Sequence, residues 1–303
     1  MSSTFEAVSA DGTRLLGWAG GGDGPPVLLS NGLGSIPQAW PGLVADSGLD
    51  VVSWYHRGTF GSARPADTSR VRIDDHVDDA VAVMDARGVE RAVVACWSIG
   101  VNVGFELARR HPDRVAGILA VAGVPGGTFA TMGGPLRLPR RLRRPIATRA
   151  ARTAVHAGPA LSWLLPRLPV DTRTAWLAAH SGFMLPGADP EVLAPMLREF
   201  VRQDWSWYFR LAVGASRHRA MDLAGLDCPI TFVAGRHDVL TSVHDVVEAA
   251  AAVPHAQVTV LPGSHFLPME HPDLVGAALG QLLARSACDA CVTPELPGLT
   301  LPP

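Results

Sequence analysis

The sequence has no lysine, so all 26 of its basic residues are arginine, and charged residues make up only 18% of the 303 positions. The formal net charge of -2 excludes a strong overall attraction to nucleic acid. No stretch is long and apolar enough to span a bilayer, and the first twenty residues lack the basic start and apolar core of a secretory signal. We therefore expect a globular, cytoplasmic protein without a nucleic-acid partner or membrane span.

Cysteine is also scarce. Cys96 and Cys228 fall in or beside apolar runs, where a free thiol behaves as a small hydrophobic group. Cys288 and Cys291 form a lone CxxC in a Pro-rich end, without the second ligand pair that a zinc site needs. A chain of this length can bury a sizeable core without disulfides. We expect no metal and no cofactor, while the role of the CDAC motif stays open.

Short apolar runs alternate with helical patterns along most of the chain. Continuous β-branched runs such as AVVAC and ITFVA are typical of parallel strands covered on both faces. The pattern predicts strands at Thr4–Val8, Arg14–Ala19, Val27–Ser30, Val51–Tyr55, Ala92–Cys96, Val115–Val121, Ile230–Ala234 and Gln257–Leu261, and helices at Asp74–Arg87, Gly100–Arg110, Val243–Ala252 and Pro272–Arg285. The expected fold is α/β, with an eight-stranded, mostly parallel sheet and helices on both of its faces.

The alternation stops between Val124 and Leu226, where prolines, arginines and tryptophans occur without a convincing strand. We interpret residues 125–225 as a helical cap inserted into a core of residues 1–124 and 226–287. Residues 288–303 are a Pro-rich tail.

Three reactive side chains follow predicted strands, in the chain order Ser98, Asp238 and His265. Ligands of open α/β sheets lie beyond the carboxyl ends of the strands. Taken singly, each residue has a structural explanation that is as good as a catalytic one. The serine could be a helix N-cap, the aspartate a turn residue and the histidine a surface residue. Together they favour catalysis, because all three residue types occur in order at the ends of strands of one sheet.

Five motifs occur in order between Phe5 and Leu283: SNGLG, YHRGTFGS, CWSIG, VAGRHD and LPGSHFLPMEHP. In this order they resemble the α/β-hydrolase superfamily, in its capped serine esterase and enol-lactonase-like branch. CWSIG is similar to the nucleophile elbow of that family, a tight turn from strand to helix that exposes the serine. Cys96 stands where the family more often has glycine, and Gly100 meets the requirement for a small residue.

The resemblance implies that Ser98 is the nucleophile, His265 its general base and Asp238 the residue that orients the histidine. It also implies that an oxyanion hole is formed by the backbone amides of Leu33 and Ile99. Asn31 stands where relatives often carry histidine. Arg57, in the YHRG turn, is expected to tie loops together.

Substrate contacts are expected from Asn31 and Trp97 near the nucleophile and from Trp163, Trp205 and Trp207 in the cap. For Trp97, packing under the cap is an equally good explanation. Because such pockets are lined by aliphatic and aromatic groups, we expect a largely apolar acyl or lactone substrate.

An arginine-rich stretch opens the cap. Its usual explanation is a solvated charged surface, and the alternative is docking of an anionic partner such as an acyl carrier, a coenzyme A ester or a lipid headgroup. The stretch contains Arg137, Arg140, Arg141, Arg143, Arg144, Arg149 and Arg152. Pro139 and Pro145 are expected to prevent a single clean helix there.

The leading hypothesis is a serine hydrolase of a carboxylic ester, lactone or thioester. The same residues would also serve hydrolysis of a C–C bond or perhydrolysis. The second class is a protein of this fold that does not hydrolyse, either a ligand sensor or a biosynthetic cyclase or transferase. Epoxide hydrolases and dehalogenases are disfavoured, because relatives with those activities carry aspartate in place of Ser98. The sequence does not indicate the natural substrate or the oligomeric state.

Overall fold

The computed structural model describes residues 2–45, 47–132 and 138–287. It contains one eight-stranded sheet with the order β1-β2-β4-β3-β5-β6-β7-β8. Strands β1 and β2 form an antiparallel hairpin, β2 pairs antiparallel with β4, and β3 to β8 are parallel. The strands are β1 Ser3–Val8, β2 Arg14–Gly21, β3 Pro26–Ser30, β4 Asp50–Trp54, β5 Ala92–Trp97, β6 Val115–Val121, β7 Ile230–Gly235 and β8 Gln257–Leu261. All eight predicted strands are confirmed to within two residues at each end.

Helices cover both faces of the sheet, as expected. One buried cluster joins the sheet to α2, α3 and α9, and a second joins its other face to α1 and α11. The helices are α1 Pro41–Val44, α2 Ile73–Ala86, α3 Ile99–Arg110, α4 Thr128–Thr131, α5 Arg140–Leu164, α6 Thr172–Ala179, α7 Pro190–Val201, α8 Trp205–Ala215, α9 Val243–Ala251, α10 Leu267–Glu270 and α11 Pro272–Ser286.

Helices α4 to α8 lie between β6 and β7, in the segment for which helices and no strand were expected. The expectation that prolines break its arginine-rich start is wrong, because α5 is a single helix of 25 residues. Pro139 is at its N-cap and Pro145 lies in its second turn, where a proline removes a single backbone donor. No helix of the described ranges is both long and apolar enough to cross a membrane.

Arg57 is fully buried and joins three separate parts of the core. Its guanidinium donates hydrogen bonds to Asp79 on α2 and to Asp11 in the β1–β2 turn, and to the carbonyl of Arg70 at 2.8 Å. Its own carbonyl accepts a 2.8 Å hydrogen bond from the indole of Trp207 on α8. The guanidinium therefore ties loops together, and the turn also anchors the inserted helices.

Next to Arg57, the ring of His56 is buried against His76, with 5.1 Å between the ring centroids. Burial lowers the pKa of His56 from its ordinary 6.5 to about 3; His76 and Arg57 act in the same direction and Asp79 opposes them. The native histidine is therefore neutral at every pH above about 3.

The burial of neutral His56 predicts that the free energy of unfolding decreases in acid. Between pH 6.5 and about 3 the unfolded chain binds a proton at position 56 that the native protein does not, so stability falls as the pH falls. The slope from this group approaches about 1.4 kcal/mol per pH unit. Urea unfolding of His56→Phe between pH 4.5 and 7 should lose this slope, whereas exposed His244→Gln should keep it. Identical slopes for wild type and His56→Phe would show that the ring is protonated in the native state.

Candidate active site

The turn between β5 and α3 places Ser98 in a backbone conformation that side chains rarely adopt. Its φ is +57° and its ψ is -118°. The amide of Ser98 donates a 3.0 Å hydrogen bond to the carbonyl of Val121 at the end of β6, which supports this conformation from the neighbouring strand. Such strain persists only when the surroundings enforce it, and it is concentrated at functional sites.

The three candidate catalytic side chains lie in one hydrogen-bonded row. His265 Nε2 is 2.8 Å from Ser98 Oγ, and His265 Nδ1 is 2.8 Å from Asp238 Oδ2. The other oxygen of Asp238 accepts hydrogen bonds from the amides of Leu240 at 2.7 Å and Thr241 at 2.8 Å. The sheet brings the three together because β5, β7 and β8 are parallel and end at the same edge.

Space around the turn is provided by two glycines of α3. A Cβ on Gly100 would overlap the carbonyl oxygen of Ser30, so the helix start lies directly against the loop after β3. A Cβ on Gly104 would overlap Cys96 Sγ. Cys96 therefore points into α3 rather than toward Ser98, and burial raises the pKa of its thiol, so the neutral form is favoured.

This packing couples Cys96 to Gly104. Gly104→Ala should destabilise the protein by about 1–3 kcal/mol, because the new methyl group forces the Cys96 side chain aside. The distance from the new Cβ to Cys96 Cβ is 3.7 Å, an ordinary contact, so the double variant Cys96→Ala/Gly104→Ala should fit. Thermal unfolding of both single variants and the double variant measures the coupling. Additive effects would contradict it.

The amides of Leu33 and Ile99 have no acceptor among the hydrogen bonds of the described residues. Ile99 is the first residue of α3, where an N–H has no partner within the helix. Leu33 follows β3, in the loop that lies against Gly100. Ile99 thus offers an uncommitted donor next to Ser98, and Leu33 offers a second one in the loop after β3. Their use as an oxyanion hole stays a prediction.

Asn31 and Trp97, two of the expected substrate contacts, make hydrogen bonds within the protein. The side-chain oxygen of Asn31 accepts a 3.0 Å hydrogen bond from Trp40, and its nitrogen donates to Ser53 at 3.2 Å. The indole of Trp97 donates a 2.8 Å hydrogen bond to the carbonyl of His265. Both side chains are buried with their polar atoms in use, so they hold the loops around the site.

The three cap tryptophans have different surroundings, and Leu33 packs against the buried cluster that contains Trp207. Trp205 packs among Phe200, Tyr208 and Phe209, and Trp207 packs against the Arg57 turn. Trp163 is 62% exposed, with the guanidinium of Arg167 above its ring. Their role as substrate contacts stays a prediction.

Glu270 on α10 was missed, although it lies within the LPGSHFLPMEHP motif. One carboxylate oxygen accepts a 2.7 Å hydrogen bond from the amide of Ser264, next to His265, and the other accepts from Ser264 Oγ at 2.6 Å. The carboxylate also accepts a 2.7 Å hydrogen bond from the amide of Leu185, between α6 and α7. A single buried carboxylate thus joins the histidine loop to the inserted segment. Its position five residues after the histidine is the signal that could have identified it.

Among the residues that the structure describes, no three histidine, cysteine, aspartate or glutamate side chains are grouped as metal ligands. The arrangement at the sheet edge can accept a proton from a serine and stabilise a developing negative charge. These are the requirements of nucleophilic acyl transfer.

The chain resembles known proteins in sequence and in fold. The sequence model described as "alpha/beta hydrolase fold" matches residues 25–272. Over 99 residues the chain is 40% identical to "Putative carbamate hydrolase RutD" from Caulobacter segnis; this match covers 32% of the chain and spans about a third (37%) of that relative's length. "Epoxide hydrolase A" from Mycobacterium tuberculosis is 28% identical to this chain. The match covers 92% of this chain and 97% of that relative.

Among solved structures, the enol-lactonase from Burkholderia xenovorans LB400 superposes with a TM-score of 0.70 at 24% identity. The superposition covers 92% of this chain and 100% of the enol-lactonase. At this level of identity the likeness concerns the fold alone.

Proposed function

Because this chain belongs to the alpha/beta hydrolase fold family, we propose that it is a serine hydrolase that cleaves a carboxylic ester, or a lactone or thioester, through an acyl-enzyme. The observation that carries the proposal is the hydrogen-bonded row of Ser98, His265 and Asp238 beside two uncommitted backbone amides. Neither a ligand sensor nor a structural protein needs a strained serine aligned with a buried histidine and carboxylate.

In the proposed reaction His265 Nε2 accepts the proton of Ser98 Oγ as the oxygen attacks the substrate carbonyl. The amides of Leu33 and Ile99 stabilise the negative charge of the tetrahedral intermediate. His265 then returns the proton to the leaving oxygen or sulfur, and Asp238 stabilises the imidazolium in between. Water activated by the same histidine hydrolyses the acyl-enzyme.

A serine nucleophile favours acyl substrates over epoxides. This holds although a protein named as an epoxide hydrolase is among the relatives. Attack of a hydroxyl on an epoxide carbon would form an ether, which water and a histidine do not cleave. Attack on an acyl carbon forms an ester, which they do cleave. A carbamate is also an acyl compound, so it belongs in the same test panel.

We propose that residues 125–225 act as a cap over this site. Phe183, between α6 and α7, lies 5.3 Å from the ring of Phe266, which in turn lies 5.8 Å from the ring of His265. Aromatic side chains thus lead from the inserted segment to the base. This supports a largely apolar acyl group as the substrate class.

The test is covalent labelling with a fluorophosphonate, followed by intact mass and peptide mapping. We expect one adduct, on the peptide that contains Ser98, and no adduct on heat-denatured protein. Turnover of p-nitrophenyl esters, lactones and an aryl carbamate should follow, with medium-chain apolar acyl groups preferred over short charged ones. A folded protein that forms no adduct and hydrolyses none of these would overturn the proposal.

A further inference from the structure

Glu270 is a buried carboxylate that takes no part in the proposed reaction steps. Its side chain is 4% exposed and lies on α10, in the motif that also carries His265. Burial of a charged carboxylate costs free energy unless hydrogen bonds replace the water that it loses. Three donors do so here, and they come from two different parts of the chain. The role of the carboxylate therefore follows from what these donors belong to.

Two of the donors belong to Ser264, the residue before His265. The amide donates to Oε2 of Glu270 at 2.7 Å, and the hydroxyl donates to Oε1 at 2.6 Å. Ser264 is completely buried, so neither donor can turn to the solvent instead. The histidine loop, residues 262–266, is thereby fixed one position from the ring that faces Ser98. Because a misplacement of about 1 Å can lower a rate by about 10²-fold, these two bonds bear on the chemical step.

The third donor belongs to the inserted segment. The amide of Leu185 donates to Oε1 of Glu270 at 2.7 Å. A Cβ on Gly187 would lie 2.5 Å from the carbonyl oxygen of Glu270, so the backbone of the segment passes directly against α10. Phe183, two residues before Leu185, packs against Phe266 beside the candidate base. This bond therefore holds the part of the inserted segment that reaches toward the site.

We propose that Glu270 is a positioning residue with two separable functions. Through Ser264 it fixes the loop of the general base, which determines kcat. Through Leu185 it fixes the inserted segment beside the acyl group of the substrate, which determines KM. The assignment to kcat and KM rests on the proposed hydrolase function, whereas the two structural links do not. The functions are separable because Oε2 accepts from Ser264 alone, while Oε1 accepts from both residues.

Glu270→Gln can satisfy one of the two loops but not both, because the NH₂ group of an amide cannot accept a hydrogen bond. With its oxygen toward the amide of Ser264, the NH₂ group still donates to Ser264 Oγ but meets the amide of Leu185, donor against donor. In the opposite orientation the completely buried amide of Ser264 loses its acceptor. That loss costs more than the loss at half-buried Leu185, where water can replace the acceptor. The variant should therefore keep the histidine loop and release the inserted segment.

Two single variants should then change different kinetic constants. For a p-nitrophenyl ester of a medium-chain acid, Glu270→Gln should raise KM about fivefold and keep kcat within about twofold of wild type. Ser264→Ala leaves Leu185 bonded to Glu270, so it should lower kcat by about three- to tenfold and keep KM within about twofold. Glu270→Ala removes both links and should show both effects. The rate constant and the inhibition constant for labelling by an alkyl fluorophosphonate measure the same split for acylation alone.

Hydrogen–deuterium exchange measures the links without turnover. Glu270→Gln should speed exchange by about tenfold in a peptide that covers residues 182–187 and leave one that covers residues 262–266 unchanged. Ser264→Ala should leave the first peptide unchanged. A wild type that hydrolyses no ester would overturn the assignment to kcat and KM together with the proposed hydrolase function. The exchange pattern would still show whether the two links exist.

The matched control is Asp245→Asn, which makes the same change from carboxylate to amide at another contact with the inserted segment. Asp245 pairs with Arg140 and Arg143 of the arginine-rich stretch. Arg137, from the same stretch, lies outside the described residues. Because Asp245 contacts neither Ser264 nor Leu185, its replacement should leave kcat, KM and the exchange of both peptides within about twofold of wild type.

A purely structural role for Glu270 predicts a different result. Thermal midpoints would then fall, while kcat and KM per folded molecule would stay at wild-type values in all three variants, and this outcome would overturn the proposal. Equal losses of kcat in Glu270→Gln and Ser264→Ala, with KM unchanged in both, would also overturn it. So would unchanged exchange of residues 182–187 in Glu270→Gln. If Glu270→Ala fails to fold, the two milder variants decide.

Discussion

Replacing Ser98 with alanine is expected to lower kcat for a chromogenic ester by about 10⁵- to 10⁶-fold, which leaves only the contribution of the oxyanion donors and binding. The side-chain oxygen is the atom aligned with His265 Nε2 at 2.8 Å, and the uncommitted amides beside it are not themselves nucleophiles. The measurement is steady-state hydrolysis, with the fluorophosphonate adduct as a second readout.

The thermal midpoint shows whether the loss of kcat in Ser98→Ala comes from the missing hydroxyl or from misfolding. Alanine adds no atoms and keeps the same strained backbone, and it loses one hydrogen bond, so the thermal midpoint of Ser98→Ala should stay within a few degrees of wild type. Ser30→Ala is a suitable comparison, because that hydroxyl donates to the carbonyl of Gly100 beside the same turn. If Ser98→Ala kept more than a tenth of the wild-type kcat, another residue would have to be the nucleophile.

Asp238→Asn is expected to lower kcat by about 10⁴-fold while preserving the fold. One carboxylate oxygen accepts from Leu240 and Thr241, and the other faces His265 Nδ1. In asparagine the oxygen would remain with the two amides, so the NH₂ group would face Nδ1. The imidazole would then carry its proton on Nε2, where it cannot accept the proton of Ser98.

The control for this variant is Asp245→Asn, which removes a largely buried carboxylate paired with Arg140 and Arg143. Its kcat should stay within about twofold of wild type, since its ion pairs involve none of Ser98, His265 and Asp238. The Asp238→Asn enzyme should regain activity as the pH rises, because hydroxide can replace the missing base. A loss of less than tenfold for Asp238→Asn would show that the tautomer of His265 is held by some other group.

Several side chains around the candidate site hold its loops in place by hydrogen bonds. Trp97 holds the carbonyl of His265, Glu270 holds Ser264, and Asn31 joins Trp40 to Ser53. The site is thus surrounded by side chains whose hydrogen bonds keep the reacting groups in place, which is a requirement for efficient catalysis.

The sequence by itself determined the strands of the sheet and the candidate catalytic residues that follow three of them. Hydrophobic periodicity is a local property, so runs such as Ala92–Cys96 identified all eight strands, and parallel pairing places the ends of β5, β7 and β8 at one edge. Ser98, Asp238 and His265 could be selected because each follows such a run.

Only the tertiary structure decided what the surrounding residues do. Trp207 donates a hydrogen bond to Arg57 across 150 positions, and Glu270 accepts one from Leu185 across 85. Such contacts leave no periodic signal, because their partners are distant in the chain and either residue type fits many environments. The exposure of Trp176 and Leu177 belongs to the same class, since the pattern of α6 does not indicate which of its faces the rest of the molecule covers.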